Sequence, residues 1–204
     1  MESKFDDNFF SKRKHIAWRA QVVCDNIINL FKPKSVIDVG CSIGEFLKEF
    51  KQRGIMINGI ENTKAVLPHL MISPDDLIIW DITNGAFIPP EKYDLAMCFM
   101  VVGRLPEDKW DTIAESLVAL SDTIITVVEN EPLWTECMKK QGYEEDKLSA
   151  DIFRNGLGPN LLKQQATKSF CCTQVFRKKI ETIRKPTKTN KYRPMMEDTH
   201  APIA

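Results

Sequence analysis

The chain has 204 residues, 43% apolar and 27% charged, with 28 basic and 28 acidic side chains. That length and balance suit one globular domain with a sizeable core, and they exclude a disordered chain, a collagen and a coiled coil. No run reaches the roughly 18 apolar residues that a membrane span needs. Residues 1–14 are polar and lack the apolar stretch of a secretory signal. The overall charge of zero hides an asymmetry, with a net +3 over residues 1–35, −8 over 36–176 and +5 over 177–204. Basic ends around an acidic body fit either an anionic partner such as nucleic acid or phospholipid, or simple solvated extensions.

Cysteines occur at 24, 41, 98, 137, 171 and 172, with no C-x-x-C and no Cys/His spacing of a zinc site. This usage predicts a reduced, cytoplasmic protein without structural disulfides and with no bound metal. Cys98 lies in an apolar run and reads as a small buried hydrophobe. Cys171 and Cys172 are expected on opposite faces of a strand.

Taken in chain order, Phe9 to Leu30 shows helical spacing at Ile16, Val23, Ile27 and Leu30, ended by Lys32-Pro33. Ser35 to Val39 is a short β-branched strand. Glu45 to Gln52 is a helix with Phe46, Leu47 and Phe50 facing inward and Gly54 placed to cap it. Ile55 to Ile60 reads as a strand, Thr63 to Leu70 as a short helix and Leu77 to Trp80 as a strand. Tyr93 to Val101 reads as a long strand buried on both faces. Pro106 suits a first helical turn, with Glu107 and Asp108 favourable to its dipole and Trp110, Ile113, Leu117 and Leu120 on its apolar face. Asp122 to Val128 is a strand, Leu133 to Lys140 a helix stopped by Gly142, and Phe170 to Phe176 a last strand. Residues 181–204 hold three prolines and no apolar period, and are expected to form a disordered basic tail. This alternation of strands and helices predicts an α/β fold: one largely parallel, doubly wound sheet with helices on both faces. Residues 1–34 would be a helical extension and 35–180 the main domain. Such a sheet binds ligands beyond its strand carboxyl ends, where strand order reverses.

The chemistry concentrates there. The first strand runs into Asp38-Val39-Gly40-Cys41-Ser42-Ile43-Gly44 and then a helix. Gly40 permits a tight turn and a close ligand approach, and Gly44 opens the helix. Glu61 ends the second strand, where a carboxylate can accept from both hydroxyls of a ribose. Asp81 ends the third, where it can accept from an adenine amine. The spacing differs from the G-x-G-x-x-G of dinucleotide sites. Asp38, two residues before Gly40, would repel a pyrophosphate but favour an ammonium or sulfonium.

Residues 36–47 resemble the first motif of class I S-adenosylmethionine-dependent methyltransferases, usually D-x-G-x-G-x-G. Gly59-Ile60-Glu61, Trp80-Asp81-Ile82 and Tyr93 to Phe99 resemble the later segments of that family. The resemblance spans about residues 36–180. It implies a seven-stranded Rossmann-like fold and S-adenosylmethionine as cofactor. Asp38, Gly40, Cys41, Ser42 and Gly44 would surround the methionine part, Glu61 and Asn62 the ribose, Asp81 and Ile82 the adenine, and Phe99 the sulfonium. Ser42 stands where many members have Gly. Met100 to Leu105 lacks the glutamates and histidine that many small-molecule members carry there, so no general base is implied. Base-directed DNA motifs are absent. The remaining candidates are His15, His69, Tyr93, Asp94, Arg104 and Tyr143. Of these, His69 reads as a surface residue, and Arg104 is placed either to bind an anionic acceptor or to remain solvated ahead of Pro106. Phe9, Phe10 and Trp18 could cover the cofactor, although Trp18 better suits an apolar helix face packed on the sheet. The implied acceptor is a small metabolite or glycan. RNA, or a non-catalytic cofactor-binding regulator, is the alternative.

Overall fold

The computed structural model describes residues 7–13, 18–129, 131–163 and 168–179. Within the expected N-terminal helical stretch the described residues form α1 (Asp7–Arg13) and α2 (Arg19–Phe31). Residues 14–17 between them, and the tail expected over 181–204, lie outside the described residues. α2 buries Ala20, Val23, Cys24 and Ile27 completely. That is an i, i+3, i+4, i+7 stripe, and burying Val23 and Ile27 stabilises the fold by about 1.5–3 kcal/mol each. The helix stops at Lys32, whose left-handed backbone (φ 50°) turns its N–H onto the Ile28 carbonyl. Trp18, expected against the sheet, is 50% exposed because it precedes α2 rather than lying on its buried stripe.

The strands are β1 (Ser35–Val39), β2 (Met56–Glu61), β3 (Leu77–Ile79), β4 (Leu95–Phe99), β5 (Thr123–Val127), β6 (Tyr143–Glu145) and β7 (Thr173–Lys178). They form one seven-stranded sheet in the order β3-β2-β1-β4-β5-β7-β6. β1 to β5 pair in parallel, with Asp38 beside Gly59 on one side and Met97 on the other. β7 enters antiparallel between β5 and β6. The chain winds outward from β1 through β2 to β3, then returns to β4, so strand order reverses between β1 and β4. The expected doubly wound, largely parallel sheet is therefore present.

Helices cover both faces. On one side, α2, α3 (Glu45–Gln52) and α6 (Lys147–Leu157) pack around Phe46, Phe50, Phe153 and Phe170. On the other, α4 (Trp110–Leu120) and α5 (Glu131–Lys140) pack through Ile113, Leu117, Trp134 and Met138. A single-turn helix, α7 (Pro159–Leu162), follows α6.

Several boundaries differ from the sequence reading. β4 is shorter than 93–101, because Tyr93 makes only an isolated bridge to Ser121 and Met100 turns left-handed (φ 59°). Residues 64–69 form a 3-10 turn rather than an α-helix, since Pro68 has no N–H for an α ladder. Pro106 leads through a 3-10 turn into α4, which starts at Trp110. α5 begins at Glu131, two residues earlier than expected. β6 and α6 are elements that the sequence pattern does not announce. The last strand starts at Thr173 rather than Phe170. The preceding residues Lys168–Cys172 coil as a 3-10 turn, so Cys171 and Cys172 do not alternate across a strand.

Candidate functional site

The loop leaving β1 carries three left-handed residues, Gly40 (φ 73°), Ser42 (φ 53°) and Gly44 (φ 77°). The N–H groups of Gly40 and Cys41 both donate to the Ile60 carbonyl, at 2.8 and 3.1 Å, which ties the turn to β2. A Cβ on Gly40 would lie 2.3 Å from Val101 Cγ2, so packing against the exit of β4 demands glycine here as firmly as the backbone does. Ser42 occupies the left-handed position where glycine is common, and its Oγ is buried with no hydrogen-bond partner among the described residues.

Glu61, at the end of β2, holds this loop from below. Its Oε2 accepts the Ser42 N–H at 3.0 Å and its Oε1 the Asn62 N–H at 2.9 Å. Burial pushes its carboxyl above the ordinary value, against those two bonds. Asp81 follows β3 and caps a 3-10 turn, with the N–H and Oγ1 of Thr83 donating to its Oδ1 at 2.9 and 2.7 Å. Its Oδ2 makes no hydrogen bond to the described residues.

These groups open onto one cleft. Its floor is Val39, Gly40, Ile60 and Glu61, the carboxyl ends of β1 and β2. Trp80, Asp81, Ile82 and Thr83 form one wall, and Phe99, Met100 and Val101 the other. α1 contributes Phe9, Phe10 and Arg13, while Arg104 and Leu105 stand at the far rim. The cleft therefore lies at the strand-order reversal, as expected.

Of the nominated residues, Gly40, Ser42, Glu61, Asn62, Asp81, Ile82, Phe99 and Arg104 line the cleft. Asp38, Cys41 and Gly44 do not. Asp38 is buried below the loop, where desolvation first, and then the carboxylates of Glu45 and Glu61, push it well above its ordinary value. Cys41 is packed under the turn, its Sγ where a Cβ on Gly59 would fall. Gly44 faces Ile72 and leads directly into Glu45, the first residue of α3.

Glu45 and Arg13 are the residues the sequence reading missed. The Glu45 carboxylate is fully buried and pairs with Arg13 from α1, with Arg19 at 3.6 Å. Arg19 is pushed down to about 10 by burial first and by the Arg13 charge second. An arginine in a charged N-terminal stretch carries no local signature of such a partner. Arg104 makes no ion pair with the described residues. Burial and the Arg13 charge both lower its affinity for its proton.

The other candidates have structural duties. His69 Nε2 lies 2.6 Å from Asp7 Oδ1 and its ring stacks near Phe10, so it docks α1 instead of standing free at the surface. Tyr93 donates to Asn58 Oδ1, Asp94 accepts from the amides of Lys34 and Ser35, and Tyr143 donates to the Ser121 carbonyl. His15 lies outside the described residues. Among the described residues no group of three or more His, Cys, Asp or Glu gathers as a metal site, and no helix is long and apolar enough to cross a membrane.

A sequence profile for a methyltransferase domain matches residues 15–127. With that match and this sheet, the chain belongs to the class I S-adenosylmethionine-dependent methyltransferase family. Magnesium protoporphyrin IX methyltransferase and CalS10 share the fold at low identity. Magnesium protoporphyrin IX methyltransferase from Synechocystis, with bound S-adenosylmethionine, is 16% identical with a TM-score of 0.51, over 71% of this chain and 77% of that one. CalS10, an amino pentose methyltransferase from Micromonospora echinaspora, is 20% identical with a TM-score of 0.50, over 63% of this chain and 58% of that one. DesVI from Streptomyces venezuelae is 21% identical with a TM-score of 0.48, over 60% of this chain and 55% of that one. The chain thus spans less than two thirds of the length of CalS10 and DesVI. No curated protein sequence matches the chain.

Proposed function

We propose that the protein transfers the methyl group of S-adenosylmethionine to a small-molecule acceptor, a metabolite or glycan. The observation that carries this reading is the meeting of Glu61, Asp81 and the left-handed loop 40–44 in one cleft at the strand-order reversal. The residues suit the cofactor. Asp81 Oδ2 is open for an adenine amine beside the apolar surfaces of Trp80 and Ile82. Glu61 has one lone pair left on each oxygen for ribose hydroxyls, with Asn62 beside it. Gly40 and Ser42 would curve round the methionine part, above Asp38 and Cys41, with Phe99 near the sulfonium.

When bound, the cofactor supplies a methyl group on a good leaving group. The chain's own task is then alignment and exclusion of water, which contribute much of the rate in such a transfer. Among the described residues the cleft presents no His, Lys, Tyr or Cys side chain as a base. A carboxylate or pyridine-like nitrogen acceptor needs none, whereas a hydroxyl or ammonium does. In our reading Arg104 pairs with an anionic group of the acceptor. The six free cysteines accord with a reaction in the cytoplasm.

The test is a screen of small-molecule and RNA fractions with methyl-labelled cofactor. Label in a small molecule supports the reading. Label in RNA favours the alternative acceptor, whose expected contact, the basic ends, falls partly outside the described residues. Cofactor binding without transfer to any fraction would leave a regulatory binding protein. Failure to bind the cofactor at all sinks the assignment.

A further inference from the structure

Four of the six cysteines, Cys24, Cys41, Cys98 and Cys137, are buried in the fold. The adjacent pair is different. Cys171 is exposed, Cys172 is half-buried, and their Sγ atoms stand 3.6 Å apart. Neighbouring side chains on a turn of about three residues diverge by about 120°, so both have rotated toward each other. The pair directly precedes Thr173, which opens β7 opposite Val127, the last residue of β5. It therefore lies on the sheet rim where the cofactor cleft opens. Phe170, one residue earlier, packs edge-on against Phe99 in the cleft wall, at 5.4 Å between ring centres.

We propose that Cys171 and Cys172 form a two-sulfur site for a soft, thiophilic centre of the trivalent-arsenic class. Three comparisons select that ligand. Adjacent Cα atoms are about 3.8 Å apart, short of the roughly 4.4–6.8 Å of ordinary disulfides, so a bond within the pair would be strained and readily reduced. Two sulfurs about 2.3 Å from one atom lie about 3.3 Å apart at a right angle and about 3.8 Å apart at a tetrahedral one, a range that spans the gap already present, so a pyramidal bridging atom needs little rearrangement. Zinc requires about four ligands, and no third ligating side chain joins the pair among the described residues. A monosubstituted trivalent arsenic needs two sulfurs only. Its oxide condenses with both thiols: two As–S bonds form, the As–O bond breaks, and the two thiol protons leave with that oxygen as water. No electrons are transferred. The Cys172 thiol is pushed up to about 11 by burial, by its hydrogen bond with Cys171 and by Glu131 and Glu129, so capture should quicken as pH rises.

Phenylarsine oxide is the probe, applied to the folded full chain in excess glutathione, which strips single-thiol adducts. Intact-mass measurement should show one phenylarsenic group per wild-type chain, released by a small dithiol. Cys171→Ser and Cys172→Ser should each lose it while melting as the wild type does. Cys171→Ala and Cys172→Ala replace any serine variant that fails to fold. Retention of the adduct in a single variant, or no adduct on the wild type, overturns the proposal. So does a chain isolated two hydrogens lighter that captures the probe only after reduction, because the pair then exists as a disulfide.

Discussion

Glu61 and Ser42 join the end of β2 to the loop leaving β1: the carboxylate accepts the Ser42 N–H at 3.0 Å, on a residue held in left-handed backbone. Glu61 thus shapes the cleft as well as facing it. Glu61→Ala leaves the amides of Ser42 and Asn62 without their charged acceptor. Hydrogen bonds to charged groups contribute roughly 1.5–3 kcal/mol each, so cofactor affinity should fall at least about tenfold. The melting temperature should also fall, unlike that of a variant at an exposed strand-end acid. Calorimetry and thermal melts read the two effects separately, and wild-type affinity in the variant would mean that the ribose is held elsewhere.

With the ribose on Glu61, as proposed, the raised Glu61 carboxyl should give cofactor binding a pH dependence, because the ribose hydroxyls then need the ionised form as acceptor. Affinity should therefore weaken as pH falls through the elevated Glu61 value and level off above it. The unliganded protein should behave oppositely. Its folded state holds the Glu61 proton more tightly than the unfolded chain does, so this group costs stability as pH rises through the same window. Glu61→Gln should flatten that component of both profiles. An unchanged binding profile in Glu61→Gln would assign the titration to another group.

Gly40 and Val101 test the loop by packing. Gly40→Ala meets Val101 Cγ2 and also forces alanine into left-handed backbone. The backbone part alone costs about 1–2 kcal/mol, and the contact adds to it. In the Val101→Ala background the penalty of Gly40→Ala should shrink but not vanish. A double-mutant cycle on urea midpoints measures the coupling, and strict additivity would show that Val101 is not the obstacle.

Glu45 supplies the carboxylate between Arg13 and Arg19. Removing one partner of a buried pair typically costs about 3–5 kcal/mol. Glu45→Ala should therefore destabilise the protein by that order and loosen α1, seen as faster proteolysis near Arg13. Glu45→Gln, with similar volume, should recover only part of the loss. A melting point equal to wild type in Glu45→Ala would deny the pair its role.

Arg104 is read through transfer rather than binding. Arg104→Lys keeps the charge and loses the planar fork, and Arg104→Ala loses both. Cofactor affinity should survive both changes. Acceptor kcat/KM should fall from wild type to Lys to Ala once the labelled-cofactor screen has supplied an acceptor. A solvated Arg would instead leave turnover within about twofold, since surface changes usually stay within ±0.5 kcal/mol. Full activity in Arg104→Ala removes it from the acceptor site.

The parallel strands and the cleft loop were legible because each has a local signal: β-branched runs for β1 and β2, and glycines at 40 and 44. Acids at strand ends announced Glu61 and Asp81. Ser42 was readable as a departure from a glycine motif, but only the backbone shows that it keeps the glycine's conformation. β6 is three residues long, too short for a period to register. α6 was hidden despite Ala150, Phe153 and Leu157 on one face, because Leu148 and Ile152 blur its polar side. The Arg13–Glu45 pair joins residues 32 apart, and no spacing rule connects them. The apolar run at 170–176 points to a strand through Cys171 and Cys172, but a 3-10 turn holds both ahead of β7.

Phe99 belongs to two assemblies at once. One side of its ring environment is the cleft. The other is a set of edge-on contacts with Phe46 and Phe170, and Phe170 in turn packs on Phe153 of α6. A ligand pressed against Phe99 therefore restrains side chains that carry the second half of the chain. Slowed amide exchange on ligand binding should reach β7 and α6, well past the loops that touch the ligand, because close-packed aromatic rings transmit displacement instead of absorbing it.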